Sequence, residues 1–316
     1  MKYVITGAGG FIGKALTQRL LAETEADLTL FDRHFGHDAL YRDDRITLVQ
    51  GKLQDGAARS RMLGDSFTTL FHLAALPGGA AEKDPTLSKV INLEATLALF
   101  EEAAATQPQA RIVFTSTIAV LGGRMPAQVD DSCPVAPAMI YGTHKAMMEL
   151  ALADMARRNL LDPVAVRLPG ILARPPSASG MKSAFLSDVF HALDAGQPFI
   201  CPVSPAATMW LMSADQAAIN LHHGAVLDSR DMPASRVVTL PAVRCSMAEL
   251  VACIAEATGS SATLVSYAPD ADLEANFGAQ PPLSTPAALH AGFNSDGALA
   301  TLVERALARI RTDRNG

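Results

Sequence analysis

The chain lacks three features that mark whole classes of protein. No apolar run reaches the ~18–20 residues that a membrane-spanning helix needs. Lysine and arginine are not clustered and the formal net charge is −6, so nucleic acid, whose phosphates require a basic patch, is not an expected partner. Glycines interrupt the N-terminal segment before any long apolar stretch, which excludes a typical signal peptide. We therefore expect a cytoplasmic protein that binds neither membrane nor nucleic acid.

Cysteine is scarce as well, and its 4 copies are scattered. They have neither CxxC nor metal-ligand spacing, which is typical of reduced thiols in the cytosol. The adjacent His222 and His223 have no further ligand at a suitable spacing, so no metal site is predicted. What the chain does have is length and apolar content: 316 residues, 49% of them hydrophobic, suffice for one large or two interlocked domains.

The first half of the chain alternates short apolar runs with helical patterns. Strands are predicted at 2–7, 28–33, 45–51, 68–75, 110–120 and 162–170. Helices are predicted at 11–23, 85–105 and about 139–158. Nearly continuous apolar strands are expected where helices cover both faces of a parallel sheet. The pattern predicts an α/β fold with a right-handed, doubly wound parallel sheet.

Beyond residue 169 the composition changes. Segments rich in Pro, Ser and Ala at 172–180, 197–208 and 268–286 are predicted as long loops. Amphipathic helices are predicted between them, at 181–196, 213–227, 246–259 and 296–312. We expect a smaller, mainly helical lobe here. A ligand should lie where its loops meet the carboxyl edge of the sheet.

A glycine-rich turn joins the first strand to the first helix. "ITGAGGFIG" places Gly7, Gly10 and Gly13 at G-x-x-G-x-x-G spacing, directly after a strand and at the start of a helix. Glycines at these positions let the backbone approach a pyrophosphate at the helix N-terminus. An ordinary strand–helix turn would seldom need so many glycines, so we predict a dinucleotide site.

Asp32 closes the second strand. A carboxylate there can accept hydrogen bonds from an adenosine ribose and would repel a 2′-phosphate, which favours NAD over NADP. Arg33 follows directly and could receive a 2′-phosphate, although a solvated turn residue is the simpler interpretation. Asp55 could face the adenine end of the cofactor or cap the following helix.

A phenol and an ammonium group lie one helical turn apart in "YGTHK". Tyr141 and Lys145 are at positions i and i+4, on the same helix face. A tyrosine with its ordinary pKa of ~10 is a poor base at neutral pH unless positive charge stabilises the phenolate. Lys145 would supply such a charge, whereas a surface pair is the alternative. Two hydroxyls, those of Ser116 and Thr117, end the fifth strand, and because strand neighbours point to opposite faces only one of them is expected to serve.

These motifs occur in the order found in the extended short-chain dehydrogenases/reductases. The residues that carry the resemblance are the glycine loop, Asp32, "HLAA" (72–75), "FTSTIAVLGG" (114–123) and "YGTHK" (141–145). Two later segments, 167–176 and 201–213, resemble the D-erythronate dehydrogenases of that family more narrowly. The resemblance implies bound NAD, a Rossmann-type domain at 1–168 joined by part of 206–240, and a substrate-binding lobe at 169–205 and 241–316.

The resemblance also implies the roles of individual residues. It places Thr117 in the catalytic Ser/Thr position, with Ser116 as the alternative, and it makes Tyr141 the general base and Lys145 its partner. Cofactor contacts are expected from Gly7, Gly10, Phe11, Ile12, Gly13, Asp32, Leu53, Leu73, Ala74, Ala75, Asn92, Thr115, Tyr141, Lys145, Pro169 and Ile171. Substrate contacts are expected from Pro77, Gly78, Ser116, Thr117, Tyr141 and Arg174.

Some residues in and beside these sets have more than one interpretation. Arg174 could form a fork onto a carboxylate, and Ser177 and Ser179 in the same segment could bind hydroxyls or simply belong to a loop. Asn92 could support the active site or lie on a helix surface. Trp210, the only tryptophan, is more typical of a packing anchor than of a sugar platform.

The chain departs from the family pattern at Lys52, where the family commonly has Asp, and in "LPGGAAE" (76–82), which replaces a Ser-containing loop beside the substrate. The expected reaction is NAD-dependent oxidation of a small polyhydroxy acid such as D-erythronate to its 2-oxo acid. A nucleotide-sugar 4-epimerase and an NAD-binding sensor without turnover are the alternatives. A dehydratase is disfavoured, because Ile118 and Ala119 replace its Asp–Glu pair.

We expect a homodimer formed through the helices at 85–105 and 139–158.

Overall fold

The computed structural model describes residues 1–64, 66–123, 125–175 and 183–315. In chain order its strands are β1 (Lys2–Thr6), β2 (Asp27–Asp32), β3 (Ile46–Gln50), β4 (Thr69–His72), β5 (Arg111–Thr117), β6 (Asp162–Leu168), β7 (Gly170–Ile171), β8 (Phe199–Cys201), β9 (Thr208–Met212), β10 (Val237–Thr239), β11 (Val243–Ser246) and β12 (Val265–Tyr267).

The helices alternate with the strands in the first half and dominate the second half. They are α1 (Phe11–Glu23), α2 (Gly56–Leu63), α3 (Gly78–Lys83), α4 (Pro85–Lys89), α5 (Thr96–Thr106), α6 (Ile140–Arg157), α7 (Phe185–Asp194), α8 (Ala214–Val226), α9 (Met247–Thr258), α10 (Ala271–Phe277), α11 (Pro286–His290) and α12 (Leu299–Asn315).

Seven of the described strands form one sheet in the order β10-β6-β5-β4-β1-β2-β3. Every neighbouring pair in this sheet is parallel. The order changes direction beside β1, because β2 and β3 lie on one side of it and β4, β5 and β6 on the other. The carboxyl ends of β1 and β4 therefore flank a topological switch point, where parallel sheets bind ligands. The predicted doubly wound parallel fold is confirmed.

Helices bury apolar side chains against both faces of this sheet. On one face Leu16 of α1 and Leu221 of α8 share a core with Val113 of β5. On the other face Phe100 of α5 and Leu152 of α6 belong to a second core. Each such side chain contributes about 1.5–3 kcal/mol when fully buried. This packing holds the ends of β1, β4 and β5 in fixed positions.

A third core forms among the C-terminal helices α7, α9 and α12, with Phe190, Ile254 and Leu307 as buried members. It is accompanied by two small sheets, β11-β9-β7 and β12-β8. The division of the chain into a cofactor domain and a substrate lobe stays a prediction. No helix within the described ranges is both long and apolar enough to cross a membrane.

The prediction of loops at 197–208 and 268–286 is wrong in part. Phe199–Cys201 forms β8, which pairs with β12, and Thr208–Met212 forms β9, which pairs with β7 and β11. Ala271–Phe277 is helical. The strand partners are distant in the sequence, so the local Pro-rich composition gave no sign of them.

The long helix predicted at 85–105 is continuous but irregular. Between α4 and α5 the segment Val90–Ala95 forms a π-helical turn. The Thr96 hydroxyl donates to the Ile91 carbonyl at 3.0 Å, which satisfies a backbone group that the wider turn leaves exposed. Such turns are frequent at functional sites, and this one contains Asn92.

Candidate active site

A cavity of about 550 Å³ opens at the carboxyl edge of the large sheet. This volume is within the range of small-molecule and cofactor sites. Its lining includes most of the predicted site residues: Gly7, Gly10, Phe11, Ile12, Gly13, Leu73, Ala75, Pro77, Gly78, Thr115, Ser116, Thr117, Tyr141, Pro169, Ile171 and Arg174. The fold thus brings residues that are up to 167 positions apart onto one surface.

The other predicted residues, Asp32, Leu53, Ala74, Asn92 and Lys145, do not belong to this lining. Leu53 is buried in the core, and its carbonyl accepts a hydrogen bond from Arg59 at 2.7 Å. Ala74 lies behind the glycine loop, and its N–H donates to the Thr6 hydroxyl at 3.2 Å.

The glycine loop is packed too closely for side chains at two of its positions. A Cβ at Gly13 would lie 2.3 Å from the Gly7 carbonyl oxygen, and Gly7 itself has φ +70°. Helix α1 begins at Phe11 with no side-chain cap and no acidic residue in its first turn. Free N–H groups and the positive end of the helix dipole therefore face the cavity. The cradle fits the pyrophosphate of a dinucleotide.

Asp32 is held beside this loop by the backbone. Its carboxylate accepts hydrogen bonds from the N–H of Gly9 at 2.9 Å and from the N–H of Arg33 at 2.7 Å. The Arg33 side chain is exposed. Asp55 caps helix α2, accepting from the Ala57 N–H at 3.0 Å, which agrees with the capping alternative.

Tyr141 and Lys145 lie in the first turns of α6. Lys145 is buried, and its Nζ donates to the Thr115 carbonyl at 2.7 Å. The same Nζ lies 4.4 Å from the centroid of the Phe114 ring and 5.8 Å from that of the Tyr141 ring. The two side chains therefore meet inside the protein, which excludes the surface-pair alternative.

Burial acts on this pair in opposite directions. It raises the pKa of Tyr141 to about 12, and the charge of Arg174 partly offsets that rise. It lowers the pKa of Lys145 to about 7, and the charge of Glu149 partly offsets that fall. Burial favours the neutral form of both groups, so added positive charge is needed before Tyr141 can act as a base near neutral pH.

The two hydroxyls at the end of β5 have different partners. Ser116 is buried, and its hydroxyl donates to Glu149 Oε1 at 2.5 Å. Thr117 is half-buried, and its oxygen accepts from the Ala119 N–H at 3.1 Å, which leaves its proton free to donate. Helix α6 approaches this turn closely because Gly142 has no side chain: a Cβ there would lie 2.5 Å from the Ala119 carbonyl oxygen.

Asn92 acts through the backbone of the segment that follows β4. Its Oδ1 accepts from the Leu76 N–H at 2.8 Å, and its Nδ2 donates to the Leu76 carbonyl at 2.9 Å. The side chain is buried, so the helix-surface alternative is excluded. Asn92 thereby fixes the chain just before Pro77 and Gly78. The rest of that segment, which the sequence suggested as a loop, forms helix α3.

Arg174 reaches the cavity from a constrained backbone. Ala173 directly before it has φ +61°, in the left-handed region. The Arg174 N–H donates to Ser187 Oγ at 3.2 Å, and its carbonyl accepts from His191 Nε2 at 2.7 Å. Burial lowers the pKa of the Arg174 guanidinium, while Tyr141 raises it. Ser177 and Ser179 lie outside the described residues.

Some lining residues had no signal in the sequence. Met125, Met139, Phe277 and Gln280 close the cavity from separate segments. Trp210 also lines it, but it is fully buried and its Nε1 donates to the Pro281 carbonyl at 2.7 Å, as expected of a packing anchor. In the part of the chain that is described, no group of three or more His, Cys, Asp or Glu side chains could hold a metal ion.

The model of one protein family, described as the NAD dependent epimerase/dehydratase family, matches residues 3–223. This chain belongs to that family. The D-erythronate dehydrogenase of Cupriavidus necator is 32% identical over 317 residues, which cover 96% of this chain and 97% of the relative. That of Haemophilus influenzae is 31% identical over 264 residues, which cover 83% and 84%.

A solved structure of the nucleoside-diphosphate-sugar epimerase from Agrobacterium tumefaciens superposes with a TM-score of 0.89 at 26% identity, covering 100% of this chain and 95% of that one. Membership of the epimerase/dehydratase family confirms the resemblance to the extended short-chain dehydrogenases/reductases. The chain is an NAD-dependent oxidoreductase. The uncapped N-terminus of α1 and the carboxylate of Asp32, which lies beside the glycine loop, fit NAD.

Proposed function

We propose that this enzyme oxidises a secondary hydroxyl of a small polyhydroxy acid, D-erythronate or a close analogue, to the 2-oxo acid. The observation that carries the proposal is that Tyr141, Thr117 and Arg174 share one cavity with the glycine loop. A base, a hydroxyl donor and a cation for a carboxylate are the groups that this reaction needs. The names of the two relatives described above support the choice of substrate.

The protein residues have separate tasks in this reaction. Tyr141 removes the proton of the substrate hydroxyl as the carbonyl forms. Thr117 donates a hydrogen bond to the same oxygen, and the Lys145 ammonium and the Arg174 guanidinium favour the Tyr141 phenolate. When bound, NAD⁺ accepts the hydride that leaves the substrate carbon.

The charge of the cavity supports a small acid as the substrate. Among the described residues that line it, Arg174 is the only lysine or arginine, whereas Glu82 and Asp188 are acidic. One guanidinium matches one carboxylate in a two-point fork. A sugar diphosphate carries two anionic groups, and the described lining offers no second lysine or arginine for them. The arrangement therefore favours an aldonate over a nucleotide sugar.

The test uses matched pairs of compounds that differ in one group. We expect the purified enzyme to form NADH from NAD⁺ with erythronate, or with another four- to six-carbon aldonate. The matching alditol, which carries CH₂OH in place of the carboxylate, should give much less. Arg174→Met should raise KM for the acid and narrow the gap between acid and alditol, because a hydrogen-bonded charge contributes about 1.5–3 kcal/mol.

Two results would contradict the proposal. Interconversion of UDP-sugars without net NADH would identify a nucleotide-sugar 4-epimerase. Binding of NAD⁺ without turnover of any compound in the panel would identify a sensor. A third result, equal turnover of acid and alditol, would agree with a dehydrogenase but would contradict recognition of the substrate carboxylate by Arg174.

The assignment of Thr117 rather than Ser116 gives a second test. We expect Thr117→Val to lower kcat by on the order of 10²–10³-fold, the usual cost of losing one donor to a developing oxyanion. Thr117→Ser, which keeps the hydroxyl, should recover most of that loss. Ser116→Ala should cost less than about tenfold, since its proton is directed to Glu149. A larger loss in Ser116→Ala than in Thr117→Val would reverse the assignment.

The proposal includes a homodimer formed through α6 and the helix that ends in α5. Met147 and Leu150, two apolar side chains on α6, are 47% and 74% exposed. A partner helix would cover them. The dimer stays a prediction.

A further inference from the structure

A carboxylate is buried beneath the catalytic helix. Glu149 lies one turn after Lys145 on α6 and is 4% exposed. Arg167 of β6 donates to it through two nitrogens, Nε to Oε1 at 2.9 Å and a terminal nitrogen to Oε2 at 2.7 Å. Ser116 of β5 donates to Oε1 as well. The carboxylate thus joins α6, β5 and β6 at the floor of the active site.

A buried ion pair of this kind needs an explanation other than stability. Removing two charges from water costs several kcal/mol per ion, and their attraction recovers this only when the geometry is good and the remaining groups are hydrogen-bonded. Apolar residues of similar volume would often be as stable. The pair of Glu149 and Arg167 is therefore weak evidence for stability, and its position points to the reaction.

The first effect of Glu149 concerns the two hydroxyls. Ser116 lines the cavity, but because it donates its proton to Glu149, that proton is not available to a substrate oxygen. Thr117, its neighbour on the opposite face of the strand, remains the hydroxyl that can donate into the cavity. Glu149 thereby fixes which of two adjacent hydroxyls takes part.

The second effect concerns the charge of Lys145. Its ammonium is surrounded by the Phe114 ring, the Thr115 carbonyl and core side chains, so burial favours the neutral amine. Glu149 is the negative charge that acts against this. Around Lys145 and Glu149 the titratable or charged groups of the described elements are Tyr141 and His144 on α6, His72 on β4, Arg167 on β6, Arg174 beside Tyr141, and Cys133 near Arg167.

We propose that Glu149 is a positioning residue for the reaction: its hydrogen bond from Ser116 keeps that hydroxyl proton from the substrate, and its negative charge increases the fraction of buried Lys145 that is charged near neutral pH. Arg167 orients the carboxylate and moderates its charge. The inference rests on the proposed roles of Tyr141 and Lys145. It predicts that the charges of Glu149 and Arg167 shift the pKa of Lys145 in opposite directions.

This opposition can be measured without turnover. The free energy of unfolding is determined as a function of pH for the whole chain, for Glu149→Gln and for Arg167→Gln, each with and without Lys145→Met. The difference within each pair isolates the contribution of Lys145. This contribution to the free energy of unfolding increases with pH. The pH at which the increase begins, here called the onset, is the pKa of Lys145 in the folded protein.

We expect Glu149→Gln to move that onset to lower pH by about one unit or more, because an opposite charge at this range shifts a pKa by roughly 1–3 units. Arg167→Gln should move it to higher pH, because it leaves the Glu149 charge uncompensated. A purely structural pair would destabilise both variants without opposite shifts. Shifts in the same direction, or no shift, would overturn the proposal.

Either single variant leaves one buried charge without its partner and could therefore fail to fold. A double variant without either charge provides a measurement in that case. Glu149→Gln/Arg167→Gln replaces the ion pair with two amides. Its onset should lie below that of the wild type and above that of Glu149→Gln. An onset at the wild-type pH would also overturn the proposal.

Kinetics provide an independent measurement. If Lys145 must be charged, Glu149→Gln should move the alkaline limit of kcat to lower pH, and Arg167→Gln should move it to higher pH. If the stability shifts occur but no aldonate is oxidised, the role of Glu149 stands and the proposed substrate fails. If oxidation occurs without the stability shifts, the substrate stands and the role of Glu149 fails.

Discussion

Replacing Tyr141 with phenylalanine is expected to reduce NADH formation by on the order of 10²–10⁴-fold, the usual contribution of a positioned general base. The substitution removes one oxygen and keeps the ring of a residue that lines the cavity. Binding of NAD⁺, followed by fluorescence or calorimetry, should change little. The loss should therefore appear in kcat with little change in KM.

Tyr267 provides a matched control for this experiment. It lies in β12, away from the lining of the cavity, and burial raises the pKa of its hydroxyl as well. Tyr267→Phe should retain wild-type kcat within a factor of about three, as expected for a residue remote from the chemistry. Unimpaired turnover in Tyr141→Phe would exclude Tyr141 as the base.

Replacing Lys145 with methionine is expected to abolish turnover and, at the same time, to stabilise the protein near neutral pH. Burial lowers the pKa of Lys145 from its ordinary value of 10.5 to about 7. A shift of that size corresponds to a penalty on the order of 3–5 kcal/mol at pH 7, at about 1.4 kcal/mol per unit. Methionine has a similar length and no charge, so most of this penalty should disappear. The lost hydrogen bond to Thr115 costs about 1 kcal/mol in return.

The sign of the pH dependence follows from proton binding. Between pH 7 and pH 10.5 the unfolded chain binds a proton at Lys145 that the folded chain does not, so wild-type stability rises with pH over this interval. The stability of Lys145→Met should not rise over this interval. Its higher free energy of unfolding relative to the wild type should therefore disappear near pH 10.5. Denaturant unfolding at several pH values measures both effects.

Lys89→Met is the control for the loss of a lysine charge, because the Lys89 side chain is 63% exposed in its pair with Glu94. It should alter the free energy of unfolding by no more than about 0.5 kcal/mol at any pH. Stability curves of Lys145→Met and the wild type that run parallel from pH 7 to pH 10 would show that the buried lysine does not carry the penalty.

The parts of the site that the sequence predicted are local in the chain. The glycine loop lies in 7 consecutive residues, Gly7–Gly13, and Tyr141 and Lys145 are separated by one helical turn, so their geometry follows from the element that contains them. The doubly wound parallel fold, although not the order of its strands, followed from the alternation of apolar runs and helices. Each of these inferences needed only short-range periodicity.

The residues that the sequence did not reveal act over long separations. Glu149 meets Ser116 across 33 positions and Arg167 across 18, and a glutamate in an amphipathic helix is normally a solvated residue. For Asn92 the sequence predicted support of the active site as one of two alternatives, but not its contact with Leu76, which lies 16 positions away. The paired residues of strands β8 and β12 are 66 positions apart in the sequence. In each case a contact between residues that are distant in the sequence, rather than local propensity, determines the structure.

The π-helical turn at Val90–Ala95 has a consequence for the tolerance of this helix to length changes. A π-helical turn contains one residue more than the regular turn it replaces. Deleting a single residue just after Asn92 would restore regular helical hydrogen bonding, and such a deletion would cost little as far as the helix is concerned. It would also rotate Asn92 by about 100° relative to α5, away from Leu76. The extra residue thus makes the helix a poor place for deletions, because it sets the angle from which Asn92 holds the chain just before Pro77 and Gly78 at the edge of the cavity.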